Sequence, residues 1–257
     1  MSYPPCMSSN LACIGLGSDT DAYHALLIRA HEHNAVVDAR DDVYLTQWQD
    51  ADGARLTFTV KDDLVVAVTP SLACEAGAIL AELAHQRDEV WAAAVVDADG
   101  EQITALAADI EHAALLDPTQ TVGGPTSLVA LGVAMEAYAD AAAFGSSPAS
   151  ILGDPDSEAP EEYVEQGWTW PPRVSSESFI SYGVFDPEQG AHALLCGEVL
   201  AARTGHNSLT GQPYRVARVR TVGFEAEVCL DGVEHPQPEV GSILAGTVYL
   251  VACLNPQ

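Results

Sequence analysis

"VYLTQWQDADGARLTFTVKDDLVVAVTP", residues 43–70, decides the fold class. Val43, Leu45 and Gln47 alternate with Tyr44, Thr46 and Trp48, and Leu56, Phe58 and Val60 alternate with threonines. A period of two is the signature of a pleated strand, because successive side chains leave on opposite faces. "DADG" and "KDD" interrupt the apolar runs. Asp-Gly readily supplies the positive φ of a tight hairpin turn. The stretch therefore predicts three antiparallel strands.

Upstream, "LACIGLG" (11–17) reads as a short apolar strand, and "SDTDAYHALLIRAHEHN" (18–34) as a helix. Ser18 with Asp21 fits a capping box, Ala22, Leu26, Leu27 and Ala30 share one face, and Asn34 suits the C-terminal cap. Downstream, residues 74–144 are ambiguous. Ile79, Leu80 and Leu83 have helical spacing, yet "VWAAAVVDADGEQITALA" reads as a hairpin around Asp99-Gly100, so strands are preferred. Residues 145–172 combine proline, glycine and acids without a base, the composition of a linker. Tyr163, Trp168 and Trp170 are too apolar for a solvated tether and are expected to dock on a domain surface. Four or five glycine-separated strands follow, which suits a small barrel.

The fold expected is thus α+β. An N-terminal α+β domain, 1–144, is mostly antiparallel β with one amphipathic helix. An acidic Pro/Gly linker spans 145–173, and a C-terminal antiparallel β-barrel of OB-like type spans 174–257. The composition, 48% hydrophobic, is globular, and the formal charge of −27 disfavours nonspecific binding to nucleic acid or anionic membranes. No run of signal-peptide or membrane-spanning length is visible, which points to a soluble cytoplasmic protein. Cys6, Cys13, Cys74, Cys196, Cys229 and Cys253 form no CxxC pair, so reduced free thiols are expected.

No motif designates a catalytic, cofactor or metal residue. "GLGSDT" has Thr20 where a dinucleotide loop needs its third glycine. The two "DADG" copies resemble the start of a calcium loop, but Lys61 and Ala108 stand where its final acid belongs. His31 and His33, two apart on a helix, diverge. There is no GxSxG.

What stands out is a basic ribbon. "RTGHNSLTGQPYRVARVRTVG" (203–223) holds Arg203, Arg215, Arg218 and Arg220, four of the ten basic residues. Arg218 and Arg220 share a strand face. The candidate ligand or interdomain contacts are Arg203, Tyr214, Arg218 and Arg220. In one reading the arginines pair with Glu198, Glu225, Glu227 or the acidic N-terminal half. In the other they line an anion groove in which Tyr214 and Phe224 stack on bases.

The C-terminal half also resembles an uncharacterised family of bacterial cytoplasmic proteins. The resemblance rests on Glu177-Ser178-Phe179-Ile180, Gly197, Asn207, Thr210-Gly211, Tyr214, Thr221 with Gly223, and Gly246 with Tyr249-Leu250. Phe224 replaces an expected second glycine, and Tyr249 an expected tryptophan. The resemblance implies two domains and no particular activity. The function expected is a non-catalytic binding or adaptor protein, with another protein as partner. The alternatives are a small-molecule enzyme with a pocket at the domain junction, or a single-stranded nucleic-acid binder. Carboxylates and histidines converging in a pocket would favour the enzyme, exposed arginines with aromatics the nucleic acid, and an apolar patch the adaptor.

Overall fold

The computed structural model describes residues 10–17, 20–117, 122–154 and 156–254. The chain is mostly β. Helix α1 (Thr20–Glu32) leads into strands β1 (Ala35–Arg40), β2 (Val43–Gln49), β3 (Ala54–Lys61) and β4 (Leu64–Leu72), a four-stranded antiparallel sheet in sequence order. The hairpin turns are as the sequence predicts. Asp62 and Asp63 take positive φ between β3 and β4, and Gly53 does so between β2 and β3. Each "DADG" is an Asx turn. Asp50 Oδ1 accepts from the N–H groups of Asp52 and Ala54, and Asp97 Oδ1 from those of Asp99 and Glu101. Both first aspartates are thus engaged by their own backbone.

The second sheet has nine strands. They are β5 (Ala78–Arg87), β6 (Val90–Val96), β7 (Gln102–Ile110), β8 (Gly124–Tyr138), β9 (Ser178–Ser181), β10 (His192–His206), β11 (Pro213–Thr221), β12 (Phe224–Asp231) and β13 (Ile243–Leu254). β8 and β13 pair antiparallel from Thr126↔Leu254 to Tyr138↔Ile243. From this seam the pairings run round in two circuits. One passes through β5, β6 and β7, the last parallel to β13. The other passes through β12, parallel to β8, then β11 and β10.

This changes the expected organisation. The circuit holding β10 to β13 takes β8 from before residue 145, so the C-terminal strands do not close among themselves. The segment 145–173 does not divide the sheet. It carries short helices α2 (Ala141–Ser146) and α3 (Glu161–Gln166), and Arg173 donates to the carbonyls of Gly145 and Ser147 and to Ser150 Oγ. Tyr163, Trp168 and Trp170 pack on one another, with ring centroids 5.3 and 4.9 Å from Tyr163. A last short helix, α4 (Tyr182–Phe185), packs on β7.

Over residues 126–131 of β8, and where β13 pairs with them, the strands at the seam are buried on both faces. Leu128 and Ala130 enter the core between the circuits' walls, while Val129 and Leu131 face the four-stranded sheet. β13 repeats this with Leu250 and Ala252 against Val251. The second core layer also takes Leu11, Cys13, Ile14, Trp48, Leu56, Phe58 and Tyr214, with Leu26 and Leu27 of α1 packed against it.

Residues 11–17 are not the expected strand. A helical turn at 10–12 runs into turns, with Leu16 N–H bonded to Leu11 O and Gly15 at φ 75°. A short apolar run does not by itself distinguish strand from buried turn. Strand β1 was not foreseen. Ser18 and the Asp21 and Ala22 side chains lie outside the described residues, as does Cys6. Asn34 lies beyond α1 and its amide donates to Thr46 Oγ1 and contacts the His31 ring nitrogen.

Gly246 allows the seam its closeness. Its φ is 151°, and a Cβ there would lie 2.0 Å from Ala134 O. Gly246→Ala should therefore force β8 and β13 apart and cost at least about 2 kcal/mol, with loss from both circuits together. Urea unfolding followed by near-UV and far-UV circular dichroism checks this: one coincident transition at a lower midpoint is expected.

Candidate functional site

The basic ribbon lies on β10 and β11. Registry opposes Arg218 to Glu227 and Arg220 to both Glu225 and Glu198. Arg218 Nε donates to Glu225 Oε2 at 2.8 Å, and its Nη1 lies 3.5 Å from Glu227 Oε1. It also donates to the carbonyls of Glu75 and Ala76. Arg220 donates to Glu198 at 2.6 Å and to Glu177 at 3.2 Å. Arg203 donates to Asp52 O, and Arg215 to Thr204 Oγ1 and to the carbonyls of Gly232 and His235. The arginines thus meet carboxylates of their own half and main-chain oxygens of the N-terminal half.

The aromatic part of the ribbon reading fails. Tyr214 is fully buried, its hydroxyl accepts from Ala54 N–H, and desolvation pushes its pKa well up. Phe224 is buried against Phe179, ring centroids 4.9 Å apart. Neither presents a face to a base: Tyr214 is buried in the layer against the four-stranded sheet, and Phe224 in the core between the circuits' walls. Arg218 and Arg220 do border an open hollow with Gly77, Ile79 and Gly223, but its cations are already paired.

A different place gathers unassigned chemistry. Between the four-stranded sheet, the turn after β7 and the end of β13 lies a cavity of about 410 Å³. Val37, Asp38, Leu45, Gln47, Arg55, Thr57, Glu111 and His112 line it, with Cys253 and Leu254. Glu111 is buried, and its Oε2 accepts from Arg55 Nη1 at 3.2 Å, Thr57 Oγ1 at 3.2 Å and Gln47 Nε2 at 3.4 Å. Arg55 is held by Gln49 Oε1 through Nε and Nη2. A buried carboxylate needs such pairing. Burial lowers the His112 pKa below that of a free imidazole, against the opposing pull of Glu111 and Asp38. Burial raises the Cys253 thiol to about 11, so it is not a ready nucleophile. Cys13 and Cys74 are pushed to about 12 in the same way.

The sequence singles out none of these residues as a site. Gln47, Arg55 and Thr57 stand on the polar face of the β2–β3 hairpin, opposite Trp48, Leu56 and Phe58, where alternation alone places them. Glu111 and Cys253 carry no local signal and arrive only through the parallel pairing of β7 with β13. Among the described residues no group of three or more histidine, cysteine or acidic side chains could hold a metal ion, and no helix is long and apolar enough to cross a membrane.

No protein-family model matches the chain, and no curated protein or solved structure matches it significantly. Several residues that carry the C-terminal resemblance have structural partners here. Buried Asn207 donates to Ile14 O, Thr210 Oγ1 to Gly15 O, and Thr221 Oγ1 to Cys196 O. The first two fasten the N-terminal turn to the β10–β11 loop.

Two predictions follow the charges. The Arg218 side chain is 18% exposed and Arg220 46%. Arg218→Gln should cost about 1–2 kcal/mol, shrinking in high salt, while Arg220→Gln should leave the melting temperature nearly unchanged. Thermal melts at low and high salt separate the two.

Asp109 on β7 is the other group of note. Tyr249 Oη donates to its Oδ2 at 3.2 Å, but the buried Oδ1 has no hydrogen-bond partner among the described residues. Burial first, then the nearby Glu89, raises its pKa to about 7. The fold therefore favours the protonated acid. Its contribution is fully present below the ordinary carboxylate range and is lost as pH rises towards about 7. Asp109→Asn should match the parent near pH 4 and exceed it at pH 8, by at most about 4 kcal/mol. Urea melts of both proteins at the two pH values test this.

Proposed function

We propose that this chain is a binding protein whose docking element is the free edge of the four-stranded sheet. The observation that carries the reading is β4. It pairs with β3 alone among the described strands, it carries no charged residue, and Leu64, Val65 and Val66 at its start are all exposed, at 68%, 44% and 60%. An uncharged apolar edge with free peptide groups is a template for strand addition, which proteins ordinarily blunt with lysine, proline or a covering loop; the one proline of β4, Pro70, lies beyond the exposed start of the strand at Leu64–Val66. At the opposite edge, β1 is exposed along its whole length and presents Val36 and Val37.

The partner that fits is an extended apolar segment of another protein with basic flanks. Asp62 and Asp63 sit at the turn beside Leu64, and Asp41 and Asp42 at the neighbouring turn, where Arg40 lies 3.8 Å from Asp41 and Lys61 3.7 Å from Asp42. The net charge of −27 opposes a second copy and attracts a cation-flanked strand.

The test is titration with a synthetic strand peptide of alternating valine and threonine, ended by lysines, and with its glutamate-ended counterpart. The lysine-ended peptide alone should bind, and Val66→Lys should weaken it at least about tenfold with an unchanged melting temperature, since edge lysines block strand addition. Equal binding of both peptides, or of parent and variant, defeats the proposal. So does a parent that is dimeric by sedimentation and becomes monomeric with Val66→Lys.

A further inference from the structure

We infer that the cavity between β1–β3, Glu111–His112 and the end of β13 is a binding site for a small organic ammonium ion. This goes beyond the edge-docking reading and does not depend on it. At about 410 Å³ the cavity has the size of a small-ligand site. Its polar groups are mainly acceptors. Asp38 brings a carboxylate, of which Oδ1 accepts, among the described residues, only the N–H of Ala39. Glu111 brings a second, and its three bonds from Gln47, Arg55 and Thr57 all end on Oε2, none of them on Oε1. His112 offers an imidazole whose pKa burial lowers, against the pull of Glu111 and Asp38, and in its neutral form one ring nitrogen accepts.

The one lining cation is engaged by the protein: Arg55 donates through Nη1 to Glu111 and through Nε and Nη2 to Gln49. Its charge offsets Glu111, which leaves the Asp38 carboxylate uncompensated within the lining. Val37, Leu45 and Leu254 supply apolar wall. That combination selects an ion with one charged, donating end and a short hydrocarbon body. An inorganic cation would need a denser set of ligands than the described residues bring together. The field of a chain at −27 raises the local concentration of any cation at this mouth.

The test uses the whole purified chain and three probes of one shape: propylammonium, propanol and propanoate. Binding is followed by calorimetry and by ligand-observed NMR. Propylammonium should bind saturably, more weakly as salt rises, and at least tenfold more tightly than either analogue. Two variants keep the result independent of folding. Asp38 and Val37 are exposed on β1, so Asp38→Asn and Val37→Trp should leave the melting temperature in place. The first should weaken propylammonium at least tenfold by removing the uncompensated charge, and the second should abolish binding by filling the mouth. Propanoate or propanol binding as tightly as propylammonium overturns the inference. So does propylammonium binding both variants as it binds the parent, or no saturation in the parent at tens of millimolar.

Discussion

The pairing of β8 with β13 is the constraint on which the molecule rests. Both strands are long, and each lends an edge to two circuits. Neither circuit can close without the pair, and over residues 126–131 β8 is buried on both faces. The closeness of the two backbones at Ala134 and Gly246 is the local condition for this, since only a glycine there leaves room for the opposing carbonyl. The rest follows from geometry. A seam buried on both sides leaves one outer layer to be covered, and the four-stranded sheet, α1 and the 10–17 turn cover it with Leu11, Ile14, Trp48, Leu56 and Phe58.

The same constraint explains which parts of the fold were legible. The β2–β3–β4 meander has turn chemistry at every corner and a clean alternation in β2 and β3, so its strands could be read directly. β8 has no such alternation. "LVALGV" is apolar throughout because Leu128 and Ala130 face one core and Val129 and Leu131 the other. Such a run says buried without saying strand; the Asp99-Gly100 hairpin is what tips the reading of 74–144 towards the strands that the structure has. The misread 11–17 segment fails for the same reason, with glycines at positive φ turning an apolar run back on itself. The acidic segment 145–173 misled by composition. It is polar and proline-rich, yet strands on either side of it belong to one sheet, because pairing partners far apart in sequence leave no trace in local composition.

The charges show a comparable split. The ribbon was visible as an anomaly, and its carboxylate partners Glu198, Glu225 and Glu227 were within reach of simple strand registry. Its aromatics were not. Tyr214 and Phe224 look like surface platforms in the sequence and are core in the structure, because both faces of this part of the sheet are covered, Tyr214 by the four-stranded sheet and Phe224 by the opposite wall. The Glu111 cavity lay further out of sight. Its polar hairpin face was readable, but the buried carboxylate that gives that face a purpose comes from a turn that β13 carries into place.

Interlocking also bears on what happens if the backbone is cut. The strands before residue 145 include β8, and those after residue 173 include β12 and β13, which flank it. A nick within the acidic segment would break one covalent link and none of the ladders. The two pieces would remain threaded through each other's sheets, each supplying the strand the other lacks. Expressed apart, each would present open edges where its neighbour belongs. The molecule is in this sense a natural pair of complementing fragments joined by a short acidic strap, and their reassembly would restore both circuits at once.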